Sequence, residues 1–316
     1  MTSSEGNRSS RPTFNLLGFS EYTGLQIPLF LVFLSVYAVT LVGNLGMIII
    51  IMFNPKLHTI MYFFLSHLSF LDCCYSTVVT PKLLENLVVK EKTISFSGCI
   101  MQFSFACIFS GIETFMLAAM VYDHLGAVCN PLLYTTIMSQ KLCVLLVAGS
   151  YSWGLVCSLT LTYFLLALSY GESNIINNFI CDHPVIVSVS CSDPHISQML
   201  CFIIAVFNEV SSLIIIIVSS VFIFITVMRM PSASGHQRTF STCVSHRNAI
   251  TIFHGTILFL YCAPSPKTTW LSVKVASVFY TVVIPMLNPL IYSLRNRDVK
   301  DTFRKLVVTK FLWHTI

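Results

Sequence analysis

Seven times along this chain a run of about twenty mostly apolar residues recurs, each long enough to cross a hydrocarbon layer of ~30 Å as a helix. The runs are Leu25–Met52, Thr59–Leu83, Phe96–Tyr122, Leu142–Leu168, Ile196–Met228, Thr239–Cys262 and Leu271–Ser293. The second is the least apolar and the third carries a Glu. Hydrophobic residues make up 55% of the 316 and charged residues only 10%, whereas a soluble domain carries roughly a quarter charged. Too little polar surface remains to clothe a water-facing exterior. The chain therefore reads as an all-α integral membrane protein, a bundle of seven transmembrane helices. The expected division is a polar segment 1–24, a membrane domain 25–293 and a tail 294–316.

Basic residues decide the orientation. With the N-terminus outside, the 18 Lys and Arg split eleven to seven in favour of the inner side, where Lys56, Lys141, Arg229 and the run from Arg295 to Lys310 fall. An odd number of spans then puts the C-terminus inside. The net charge of +5 is a membrane-surface signature and not a nucleic-acid one. The N-terminal segment lacks a basic n-region and a short apolar core, so the first span is expected to serve as an uncleaved anchor. Asn7-Arg8-Ser9 is a glycosylation sequon if this end lies outside. In the tail, Val299, Phe303, Leu306 and Val307 recur at helical spacing among basic residues, which predicts a short amphipathic helix on the inner leaflet.

The chain has 12 cysteines. Cys73, Cys107, Cys157, Cys201 and Cys243 lie within spans, where a thiol acts as a small apolar side chain. Cys99, Cys181 and Cys191 lie on the oxidising outer side, where a bridge is plausible. The residues alone leave open whether Cys99 pairs with Cys181 or Cys191.

Polar residues within apolar spans are costly and mark function by default. Asp72, Glu113 and Asn288 lie at similar depth in the second, third and seventh spans. Asn288-Pro289-Leu290-Ile291-Tyr292 adds a helix-kinking proline and a hydroxyl near the inner face.

Gly43-Asn44, LHTIMYFFLSHLSFLD at 57–72, MVYDHLGAVCNPLLY at 120–134, FSTCVSH at 240–246 and PMLNPLIYSLRN at 285–296 stand in order along the chain. Together with seven spans and an outside N-terminus, these segments resemble the vertebrate olfactory receptor family of rhodopsin-like G-protein-coupled receptors, collinearly from about Phe14 to Phe303. The resemblance implies a Cys99–Cys181 bridge. It also implies a second loop cysteine where this chain has Gly171, so Cys191 is expected to be a free thiol. It gathers Asp72, Glu113 and Asn288 into a polar cluster, in which Asp72 and Glu113 are candidate oxygen ligands for a sodium ion. No other cofactor is expected.

The same resemblance implies a small-molecule pocket with apolar walls and few polar anchors. On the third span Ala106, Cys107, Ser110, Gly111 and Thr114 share a face of small residues, which either leave a void or allow close helix packing. Ile204 and Asn208 from the fifth span and His254, Ile257 and Tyr261 from the sixth come opposite. With no inward Lys or Arg at this level, a neutral odorant is expected. Glu209 faces either the pocket or the fourth span, and the sequence does not choose.

The chain departs from the family at its signalling end. The family's Asp-Arg-Tyr reads Asp123-His124-Leu125, and its Tyr on the inner half of the fifth span is Ser220, after Ser219. Arg is always charged and offers five donors, whereas imidazole is mostly neutral near pH 7. Ile60 replaces a Pro, and Arg247 replaces an apolar residue. The expectation is a multi-pass plasma-membrane receptor for small volatile odorants, coupled weakly to a stimulatory, olfactory-type G protein that raises cAMP. The alternatives are a pH-tuned receptor in which His124 suffices, a non-signalling relic, and a transporter, for which no inverted repeat is evident. No catalytic motif stands out, so an enzyme is not expected.

Overall fold

A computed structural model describes residues 13–19, 23–171, 174–229, 251, 254–258 and 270–295. The long helices are α1 (Gln26–Phe53), α2 (Ile60–Val88), α3 (Phe96–Cys129), α5 (Gln140–Leu166) and α7 (His195–Met228). Short helices α4 (Tyr134–Ile137) and α6 (His183–Ser188) lie in the loops. The seventh span comprises α8 (Trp270–Val278), a π-helical turn (Phe279–Val283) and α9 (Ile284–Arg295). Of the sixth span, residues 251 and 254–258 are helical. The sequon at Asn7, Tyr261, Arg247 and the tail helix lie outside the described residues.

Helices α2 and α3 overrun their apolar windows, to Val88 and Cys129, because backbone hydrogen bonding continues after hydropathy stops. α3 has 34 residues, about 51 Å at 1.5 Å per residue. That length exceeds a hydrocarbon core of ~30 Å, and Asp123 and His124 fall in the last two turns of the helix. The bundle is apolar on its outside: Ile27, Val42, Leu145, Phe202 and Ile217 are exposed. Its interior holds the polar groups Asn44, Asp72, Glu113 and Asn288. That inversion of the soluble pattern suits a lipid surround.

α3 is the axis of the bundle and packs on α2, α5 and α7. Its closest approach is to α5, at Gly111 and Gly154. A Cβ on Gly154 would lie 2.7 Å from the Ile108 carbonyl oxygen and from Ile112 Cγ1, and one on Gly111 would lie 3.2 Å from Gly154 Cα. The small residues on this side of α3 therefore serve helix contact.

On the outer side, β1 (Thr13–Leu16) pairs antiparallel with β2 (Thr93–Ser95) and parallel with β3 (Ile175–Ile176). Phe14 and Leu16 alternate inward from β1 and are fully buried in a cluster with Cys99, Cys181 and Ile186. The strand Thr13–Leu16 is thus a structural part of the outer cap. The Cys99–Cys181 disulfide is formed, with Cα atoms 5.4 Å apart, and holds the long outer loop to the head of α3.

Candidate functional site

The polar cluster at mid-depth is assembled by one amide. Asn288 Nδ2 donates to Asp72 Oδ1 at 3.2 Å and Oδ2 at 3.1 Å, and to Glu113 Oε1 at 3.4 Å. All three residues are buried, and the cluster joins the second, third and seventh spans. Asp72 and Glu113 supply the hard oxygens that a sodium ion takes. Among the described residues, no group of three or more His, Cys, Asp or Glu assembles for a metal.

One residue from Asn288, Pro289 interrupts α9. A proline has no N–H for the carbonyl four residues earlier, which belongs to Pro285. Asn44 supplies that missing donor, its Nδ2 donating to the Pro285 carbonyl at 3.0 Å and to Thr40 O at 3.0 Å. Gly43 allows the approach: a Cβ there would lie 3.2 Å from Pro289 Cγ. The Gly-Asn pair of the first span and the proline of the seventh are one device. Tyr292 lies on α9, where the backbone alone is described.

At the inner end, Tyr134 on α4 donates to Asp123 Oδ1 at 2.6 Å. Burial, reinforced by the Asp123 carboxylate, raises the Tyr134 hydroxyl above the usual phenol range, so it stays a donor. Leu125 and Val128 pack against Ile223 and Val227 of α7, and Cys129 Sγ meets Thr226 Oγ1 at 3.1 Å. Where the family carries a tyrosine, Leu125 thus makes an apolar seam between α3 and α7. His124 is partly buried beside it.

The residues expected to line one pocket are spread over several surroundings. Ala106 is buried with Tyr75, Val79 and Phe179, and Cys107 is partly buried against the outer cluster, as is Ile204. Ser110 accepts a hydrogen bond from Tyr280, whose ring meets Tyr75 edge-on at 5.6 Å. Gly111 faces α5, and Thr114 donates back to Ser110 O at 3.0 Å. Asn208 Oδ1 accepts from Trp153 Nε1 of α5 at 2.8 Å. Ile257 is in the main core. His254 Nδ1 lies 2.7 Å from Glu209 Oε2, with both residues buried. Glu209 therefore faces the sixth span, an arrangement the sequence reading did not contain. Its signal was two ionisable residues in neighbouring apolar spans. Lys274 of α8 is 4% exposed.

Above the bundle, Asp182 caps α6 by accepting from His183 N at 2.7 Å, and burial raises its carboxyl. Burial lowers His183 to about 4, and its Nε2 lies 2.9 Å from Ser197 Oγ. Cys191 is an exposed free thiol, and a Cβ on Gly171 would overlap its sulfur. A cavity of about 510 Å³ opens between α7 and Thr251, His254, Gly255 and Leu258 of the sixth span, with Ser220 and Phe224 in its wall.

Known proteins share this outline. A family model described as "Olfactory receptor" matches residues 33–310. The chain is 75% identical to Olfactory receptor 5D13 of Homo sapiens over 314 residues, 99% of this chain and 100% of that one. It is 61% identical to Olfactory receptor 1165 of Mus musculus over 310 residues, 98% of each chain. Among solved structures, squid rhodopsin aligns at a TM-score of 0.70 over 92% of this chain and 82% of its own, with 14% identity, a likeness of fold alone.

Proposed function

The chain belongs to the olfactory receptor family, and on that premise we propose that it binds small, mostly neutral, hydrophobic odorants within the helix bundle at the plasma membrane. It signals through a stimulatory, olfactory-type G protein that raises cAMP. The family is a class of receptors and not of enzymes, so the chemistry to be accounted for is conformational. The observation that carries the reading is the Asp72–Asn288–Glu113 cluster, beside a proline whose orphaned carbonyl is held by Asn44. Such a cluster ties three spans by bonds that are individually weak at 3.1–3.4 Å, which suits a junction that rearranges. A sodium ion between Asp72 and Glu113 would offset their like charge. Sodium-dependent thermal stability that Glu113→Ala abolishes supports the ion, and equal insensitivity of both proteins removes it.

Coupling is weak in this reading. His124 replaces a permanent cation with a smaller, mostly neutral ring, and the Leu125 seam with Ile223 and Val227 favours an inner end that stays closed. The test is an odorant panel against a cAMP reporter in cells where surface display is verified, run on wild type and on the His124→Arg, Leu125→Tyr double variant. The double variant should respond more strongly. Robust wild-type signalling that the substitutions leave unimproved refutes weak coupling, and silence of both at full surface display counts against a signalling receptor.

A further inference from the structure

The bundle is covered above and open at one flank. On the outer side Phe14, Leu16, Ile176, Phe179 and Cys181 are each at most 1% exposed. The long outer loop is held there by the Cys99–Cys181 bridge and by Gln102, whose Oε1 accepts from Cys181 N at 3.0 Å. Strand β1 lies between β2 and β3, and Phe19 stacks on Phe179 at 5.6 Å. Phe179 in turn is buried in one cluster with Tyr75 and Ala106 of the bundle. A solute arriving from water would have to displace this layered apolar cap, whose loop a covalent bond holds in place.

The flank beside α7 differs. The cavity of about 510 Å³ there has room for a small odorant, since an apolar cavity of ~150 Å³ already admits benzene. Its wall changes character from one side to the other. Ile217, Val221 and Phe224 are about half exposed and, on a membrane-spanning helix, face hydrocarbon. Ile216 and His254 in the same wall are buried, Ile216 within the main core and His254 against Glu209. The cavity thus runs from lipid to a residue counted in the odorant pocket. Gly255 keeps it open: it lines the cavity, and a Cβ there would meet nothing within 4 Å. The solubility of the ligand favours the same side. Each methylene shifts a solute about fourfold from water into hydrocarbon, so an odorant with six is on the order of a thousandfold richer in the bilayer.

Resting on the reading of this chain as an odorant receptor, we propose that odorants enter the bundle from the bilayer, by the crevice between α7 and the sixth span. The crevice is the approach to the odorant pocket and not a second resting site. Its residues set how fast an odorant arrives and leaves, while the outer cap stays shut.

The test uses the full-length protein in phosphatidylcholine nanodiscs, with a reporter thiol introduced by Ser110→Cys, where Tyr280 of the seventh span reaches α3. The probe is N-hexylmaleimide, a neutral, odorant-sized reagent that dissolves in lipid. Its rate of addition at position 110 is followed by peptide mass spectrometry, with the rate in unfolded protein as the reference for intrinsic reactivity. Narrowing the crevice by Gly255→Ala and Gly255→Leu should slow addition in that order. For Leu the loss should be about fivefold or more, because the helices must then part to pass the probe. Ile217→Trp, which narrows the mouth from α7, should also slow it. Loosening the cap by Phe179→Ala should leave the rate unchanged, and a permanently charged trimethylammonium thiosulfonate should leave position 110 unmodified. Wild-type rates in the crevice variants overturn the proposal, as do acceleration by Phe179→Ala, modification by the charged reagent, or no addition of N-hexylmaleimide at all. Should Gly255→Leu fail to fold, Gly255→Ala and Ile217→Trp still decide. Addition needs neither agonism nor a G protein, so crevice-dependent addition in a receptor silent to every odorant supports the passage and counts against the odorant reading alone.

Discussion

The α3–α5 crossing is the tightest helix contact at the described glycines, and its cost of disturbance follows from geometry. Substituting Gly154 by Ala places a methyl 2.7 Å from a backbone oxygen and 2.7 Å from Ile112 Cγ1, where ordinary contact begins at 3.4 Å. The Ile112 side chain could rotate, but the Ile108 carbonyl is locked in the α3 ladder. The helices must part by roughly 0.5–0.7 Å, a shift of the overpacking kind that costs about 1–3 kcal/mol. Gly149 lies on the same helix with nothing within 4 Å of its would-be Cβ. There Ala gains about 0.5–1 kcal/mol from helix propensity alone. Gly111→Ala, at 3.2 Å from Gly154 Cα, falls between. Thermal unfolding in detergent, followed by thiol-reactive fluorescence or size-exclusion monodispersity, should rank Gly149→Ala at or above wild type, then Gly111→Ala, then Gly154→Ala. The two extremes should differ by about 1.5–4 kcal/mol, summing these two effects. If Gly154→Ala melts with Gly149→Ala, α3 and α5 do not cross as described.

Three further outcomes are expected. Asn44→Leu leaves the Pro285 carbonyl without its donor and should destabilise by about 1–3 kcal/mol, whereas in a Pro289→Ala background, where the backbone supplies an N–H, the same change should cost less; equal losses in a double-mutant cycle would refute the link. Gly171→Cys should form a disulfide with Cys191, seen as loss of one alkylatable thiol by mass spectrometry, and two free thiols would contradict the placement. His183 titrates near 4 when folded and near 6.5 when unfolded, so the unfolded state binds more protons between those values. Stability should therefore be intact above about pH 6.5 and fall as pH drops toward 4; His183→Gln should flatten that part of the profile, and an unchanged slope would assign it to other groups.

How much of this was readable beforehand depended on whether a feature rests on depth or on rotation. Depth follows from counting along an apolar run, which is why Asp72, Glu113 and Asn288 could be put at one level. The outer bridge needed the family resemblance as well, since spacing left two partners for Cys99. Rotation is different: neighbours on a helix point about 100° apart, and no single span fixes its own phase against the others. Asn208 and Glu209 are adjacent in the chain, yet one turns to Trp153 and the other to His254. Gly111 was equally suited to lining a void or admitting a helix, and only the presence of Gly154 opposite decides.

The bond between Asn44 and the Pro285 carbonyl also has a mechanical consequence. A proline is usually treated as a loose joint, yet here the joint is bolted to a second beam. Any change in the bend at Pro289 must break that bond or carry the middle of α1 along. While that bond holds, the first and seventh helices move below Pro289 as one lever, and spin labels on their inner ends should keep a fixed separation; a change in that separation would report that the bond has broken.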